Sequence, residues 1–169
     1  MKKSMTLVET IVYVAILGLI ATAFMTMSIN ILSLKTKSVS QQEMASNLLF
    51  ISQKINYEVR NAKAISATTA YSITLTMADS ARNPTVFDFN SNDIRMGFGS
   101  AGSCQTTAPC ILNSTMVNIS AFTVTNLSSG DSLTQNIRYT ITGNYVNTSG
   151  RAEFAANGTV TDSAEVWSR

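Results

Sequence analysis

Lys2-Lys3-Ser4-Met5-Thr6-Leu7-Val8-Glu9, followed by Thr10–Leu34 without a single charge, decides how this chain is built. A run of about 25 mostly apolar residues is long enough to cross a bilayer as a helix. One carboxylate, Glu9, stands just inside its start. An ionisable group in an apolar span is costly, which makes Glu9 a candidate functional residue. Lys2 and Lys3 precede the run and orient its start toward the cytoplasm, with weak competition from Lys35 and Lys37 beyond it. A secretory signal peptide is the rival for this segment. Its apolar core is shorter, about 7–15 residues, and is followed by a small-residue cleavage site.

Beyond Leu34 the composition changes to that of a polar, exported domain rich in Ser, Thr, Asn and Ala. The chain has 169 residues and is 45% apolar, with much of that content in the first 34 positions. The remaining part, roughly 135 residues, is of ordinary domain size. Without Lys2 and Lys3 the basic and acidic side chains balance at ten each. No cationic cluster stands out in the polar part, so no nucleic-acid partner is expected. The chain contains no histidine, which excludes Ser-His, Cys-His and His-based metal chemistry. Its two cysteines cannot supply a four-ligand zinc site. No catalytic, cofactor-binding or metal-binding constellation emerges, and an envelope enzyme is the weakest of the readings. Asp79, Asp88, Asp93 and Asp131 lack the alternating spacing of a calcium loop.

Between Gly18 and Gly97 there is no other glycine, and Pro84 is the first proline. Met5 to about Ala64 is therefore predicted to be one continuous helix of roughly 90 Å. Its first half is apolar on all sides. In its second half Met44, Leu48, Ile51, Ile55, Val59 and Ala62 recur at spacings of three and four, while Gln42, Glu43, Gln53, Lys54, Asn56 and Arg60 occupy other faces. Such a stripe wants a sheet from the same chain. Period-two alternation predicts a strand at Tyr71–Met77, then Thr85–Phe89 and Asp93–Phe98 joined at Asn90-Ser91-Asn92. Asp79–Pro84 reads as a turn and Gly97–Pro109 as a loop. Further strands are predicted at Met116–Asn126, Ile137–Val146 and Arg151–Val160. The fold class is α+β: a long N-terminal helix, membrane-spanning in its first half, packed on a mostly antiparallel sheet.

Ser4-Met5-Thr6-Leu7-Val8-Glu9-Thr10-Ile11-Val12-Tyr13-Val14-Ala15-Ile16-Leu17-Gly18 resembles the class III leader and helix start of type IV pilins and type II secretion pseudopilins. The resemblance covers about 30 residues, the length of an apolar span with its flanks. It implies removal of a short basic leader between Ser4 and Met5 by a membrane prepilin peptidase, methylation of the new N-terminus at Met5, and a role in assembly for Glu9, the fifth mature residue. Ser4 stands where the family usually has Gly, the leader is only four residues long, and no helix-breaking proline precedes Pro84. The divisions implied are 1–4 leader, 5–34 membrane and filament-core helix, 35–65 amphipathic helix, and 66–169 β-rich exported head, a pilin-like arrangement. Other pilins or pseudopilins, prepilin peptidase and inner-membrane lipid are the implied partners. The implied location is a bacterial inner membrane, N-terminus cytoplasmic, then an extracytoplasmic filament. In a filament core a free amine on a neighbouring Met5 would offset the burial of Glu9. The alternative is that Glu9 lies at the interfacial start of a helix, where the dipole favours an anion.

Ile55-Asn56-Tyr57-Glu58-Val59-Arg60-Asn61-Ala62 is similar to the end of the long helix in J-type minor pseudopilins and W-type minor pilins. Taken individually, Glu58 and Arg60 read as solvated charges on the helix face. Cys104 and Cys110 flank a short loop, and in an exported domain a disulfide is the expected state, with free thiols or a redox pair as the alternatives. A membrane-tethered binding module that never polymerises is the rival to the filament reading.

Overall fold

The computed structural model of the chain describes residues 6–99, 110–130 and 134–167. Its first element is a single helix, α1, Leu7–Asn61, of 55 residues, about 80 Å long at the usual rise. Thr6 is its N-cap, with extended backbone and a hydroxyl that accepts from the Glu9 N–H at 3.3 Å. The helix ends three residues before the predicted limit. Ala62 turns to extended backbone, and Lys63 N–H donates to Thr76 C=O at 2.8 Å. The segment after it is drawn into a sheet edge rather than into another helical turn.

Eight strands follow. β1 (Ala64–Thr69), β2 (Ser72–Thr76), β3 (Thr85–Asn90), β4 (Asp93–Phe98) and the two-residue β5 (Cys110–Ile111) form one sheet in that order. β6 (Val117–Asn126), β7 (Asn136–Tyr145) and β8 (Asn157–Glu165) form a second. Every pairing is antiparallel between chain neighbours. The meander is as expected, but it is split into two sheets. The sheets meet along β6, where Ile119 N–H donates to Asn92 C=O at 2.9 Å and Val124 N–H to Ala70 C=O at 3.1 Å. Asn113 is buried at this seam. Its amide donates to Asp93 and to Val117 C=O, both at 2.8 Å, and its oxygen accepts from Ile94 N–H at 3.0 Å.

Several boundaries differ from the sequence reading for identifiable reasons. β1 was hidden because Ala64-Ile65-Ser66-Ala67-Thr68-Thr69 has only one large apolar residue. The strand predicted at Arg151–Val160 is displaced to β8. Residues Ala152–Phe154 make a 3-10 turn, in which Arg151 pairs with Glu153. The Asp79–Pro84 turn contains a similar one, Ser80–Arg82, capped by Asp79 accepting from Ala81 N–H at 2.9 Å. The β3–β4 hairpin closes through Ser91 and Asn92, both with positive φ (53° and 71°). That is the backbone a two-residue turn needs to match strand twist, and Asn tolerates it well.

The predicted stripe is the buried face of α1. Met44, Leu48, Ile51, Ile55 and Val59, with Ala62 beyond the helix end, enter one apolar cluster with Ile73, Leu75, Phe87, Phe122, Ile137 and Ile141. The helix approaches the three-stranded sheet closely over two glycines paired across β7 and β8, Gly143 and Gly158. A Cβ on Gly143 would stand 3.2 Å from Leu48 Cδ2 and 3.3 Å from the Asn118 carbonyl oxygen, and one on Gly158 2.6 Å from Met44 Cε. The first neighbour set includes backbone; the second is the free end of a flexible side chain.

Gly143→Val is therefore expected to cost about 1–3 kcal/mol by overpacking, seen as a lower denaturation midpoint of the head. Gly158→Ala, where Met44 can swing away, is expected to cost less. A larger loss for Gly158→Ala would contradict this packing.

Candidate functional site

The candidate site is α1 itself, whose two halves behave differently. From Thr6 to Leu32 every residue is exposed, although Leu7, Val8, Ile11, Leu17, Leu19, Phe24, Met25 and Leu32 lie among them. This is the part of the helix long and apolar enough to cross a membrane, and none of it is covered by the rest of the chain. Its Ser and Thr hydroxyls are bonded within the helix. Thr22, Thr26 and Ser28 donate to the carbonyls of Leu19, Ala23 and Phe24, each at 2.9 Å, and Ser33 to Asn30 at 2.9 Å. Satisfying such groups within the helix is what an apolar surrounding demands.

Glu9 is in the first turn, exposed, and among the described residues no cation faces its carboxylate. Thr6-Leu7-Val8-Glu9 has the spacing of a capping box, and the Thr6 half of that exchange is made. This local role was readable from the sequence as a Thr followed three residues later by Glu. Ser4 and Met5, the expected cleavage and methylation positions, lie outside the described residues, as does Cys104. The disulfide expected of Cys104 and Cys110 is therefore an expectation still. Asp79, Asp88 and Asp93 are each engaged, as a cap, with Arg95 and with Asn113 respectively. Asp131 is outside the described set, and among the described residues no three potential metal ligands come together.

The second half of α1 is clasped to the head by three polar contacts that flank the apolar stripe. Near residue 45, Asn47 accepts from Ser114 N–H at 2.8 Å and donates to Glu43 at 3.0 Å. In the middle, Ser52 and Asn56 donate to Asp162 Oδ2 at 2.9 and 2.7 Å, and the Tyr139 hydroxyl donates to Ser52 C=O at 3.0 Å. Burial pushes the Tyr139 phenol well above its ordinary pKa. Partial burial works against a charge on Asp162, but the hydrogen bonds from Ser163 N–H, Asn56 and Ser52 outweigh it and hold the carboxyl below its usual value.

The third clasp corrects the reading of Glu58. Its side chain is fully buried rather than solvated. Arg82 donates to Oε2 at 2.6 Å, and Lys54 stands 2.9 Å from Oε1 as a charge contact without hydrogen-bond alignment. Arg82 also lies 4.9 Å over the Phe98 ring. Glu58 is three residues beyond Ile55, at the border of the buried stripe, so helical spacing alone could have marked it. Its partner Arg82, from a turn 24 residues away, carried no such signal. Arg60 is exposed, as expected.

No family model, curated protein or solved structure matches this chain.

Two outcomes follow for the clasps. Arg82→Ala leaves Glu58 buried with only the misaligned Lys54 and should destabilise the head by about 1–3 kcal/mol, whereas Arg82→Ala combined with Glu58→Leu should recover part of that loss. For Asp162, a carboxyl whose pKa falls on folding stabilises the fold above its unfolded value, near about 4, and loses that contribution as pH falls through the folded value. The melting temperature should therefore drop below about pH 4, and Asp162→Asn should remove this part of the slope.

Proposed function

We propose that the chain is a structural subunit of a filament of the type IV pilus or type II secretion pseudopilus kind, a minor pilin or pseudopilin, and acts without catalysis. The observation that carries this reading is the division of α1. One half is covered by the chain's own sheets, and the other half is apolar and uncovered. The covered half gives the helix a rigid head. The uncovered half suits lipid first and neighbouring helices later, with the same apolar faces meeting both.

Glu9 adds specificity to that assembly. Buried among helices, its carboxylate needs a cation, and the amine freed at Met5 of an adjacent copy or related pilin is the group that cleavage after Ser4 would create. Prepilin peptidase would thus act on the chain before assembly. Open helical filaments use two different contact surfaces, and a tip subunit would use only one of them. The rival, a tethered binding module, draws support from the local role of Glu9, which already lies where the helix start favours an anion.

N-terminal mass spectrometry of the protein from its native membrane distinguishes the two readings. A chain beginning at methylated Met5 supports the filament subunit, and one retaining Met1 supports the tether. Glu9→Ala is expected to leave membrane insertion intact and to lower incorporation into filaments by about tenfold or more, the weight of one charged hydrogen bond. Unchanged incorporation would remove Glu9 from the mechanism.

A further inference from the structure

A cleft of about 470 Å³ opens at the distal end of α1, lined by Gln53, Asn56, Tyr57, Arg60, Asn61 and Trp167. The first five come from successive helical turns on one face. Trp167 arrives from the strand side. Val166 is buried and its N–H is held by Gln135 C=O at 2.9 Å, so the next side chain is directed outward. Tyr57 and Trp167 are 58% and 65% exposed, an unusual state for two large aromatic rings lining one cleft.

The remaining lining is polar and partly preset. Asn56 donates to Asp162 at 2.7 Å, which fixes its amide, and its Oδ1 is buried beneath the cleft surface. Asn61 donates to Tyr57 C=O at 2.8 Å, leaving its oxygen as an acceptor. The Arg60 guanidinium lies 5.8 Å over the Trp167 ring and makes no ion pair among the described residues. No carboxylate and no aliphatic side chain lines the cleft.

We propose that this cleft binds a saccharide unit bearing a carboxylate. Ring C–H groups of a pyranose carry slight positive charge and settle on the negative faces of Trp and Tyr. Its hydroxyls both donate and accept, as the amides of Gln53 and Asn61 require. A carboxylate on the sugar meets the planar fork of Arg60, a charge-assisted pair that a neutral sugar cannot make. An apolar peptide segment finds no aliphatic surface here and would strand the amides. Every group in the site belongs to one copy of the chain.

Trp167 is the single tryptophan, so it reports on its own site. The full chain, held in a zwitterionic detergent free of sugar headgroups, is titrated with trigalacturonate and with neutral maltotriose while its emission is followed. Trigalacturonate should give a saturable change, with affinity at least about tenfold above that of maltotriose. Arg60→Gln should remove this preference, and Tyr57→Ala should weaken both sugars. Both residues are exposed, and circular dichroism of the two variants should match that of the unaltered chain. Absence of a saturable response to either oligomer, equal affinity for the two, or an unaltered preference in Arg60→Gln would each overturn the assignment. None of these readings depends on whether the protein enters a filament.

Discussion

Met44 and Leu48 reach the three-stranded sheet because Gly143 and Gly158, side by side on β7 and β8, present no Cβ beneath them. A helix packed on a sheet ordinarily rests on an intervening layer of side chains from both elements. Here that layer is thinned at one spot, so the helix side chains seat directly on strand backbone. The rest of the stripe, from Ile51 to Val59, then follows the helical repeat down to the five-stranded sheet, where Ile73, Leu75 and Phe87 close the cluster. The three-stranded sheet depends most on this line of contact, because without it Ile137, Ile141 and Phe122 would be exposed.

The clasps around the stripe do a different job. Apolar burial is non-directional and would tolerate sliding of the helix by small amounts. Ser52, Asn56 and Glu58 each require one partner geometry, and together they fix both the rotation and the height of the helix over the strands. The buried Glu58 charge is tolerable because two cations meet it, and the Ser80–Arg82 turn is held in place as a result. The N-terminal half has no comparable restraints. Its exposed Leu, Ile, Val and Phe surface is far larger than an isolated protein ordinarily presents to water.

Much of this architecture was readable in advance. Met44, Leu48, Ile51, Ile55, Val59 and Ala62 recur on one face, and all six are buried. The alternation in β2, β3 and β4 was clear because those strands carry large apolar residues at every second position. What escaped depended on distant partners or on small residues. β1 offers little apolar contrast. β8 reads as a strand only once Ala152–Phe154 is known to turn, and the split into two sheets is fixed by Asn113 at the seam, a polar residue with no periodic signature. Glu58 shows the same limit: its position on the helix is local, but the Arg82 that justifies its burial is not. Of the candidate assembly residues, Glu9 lies in the first turn of the helix, as its position in the sequence implied.

The unbroken course of α1 also makes the head and the anchor a single rigid shaft. With no proline or glycine between Gly18 and Asn61, there is no hinge at which the head could choose its own heading relative to the uncovered half. Azimuth and elevation are both counted in residues. One residue added or removed between Lys35 and Val39 would swing the head by about 100° around the shaft and move it by about 1.5 Å along it. The length of that stretch thus acts as a gauge, setting which side of the head lies above which face of the uncovered half.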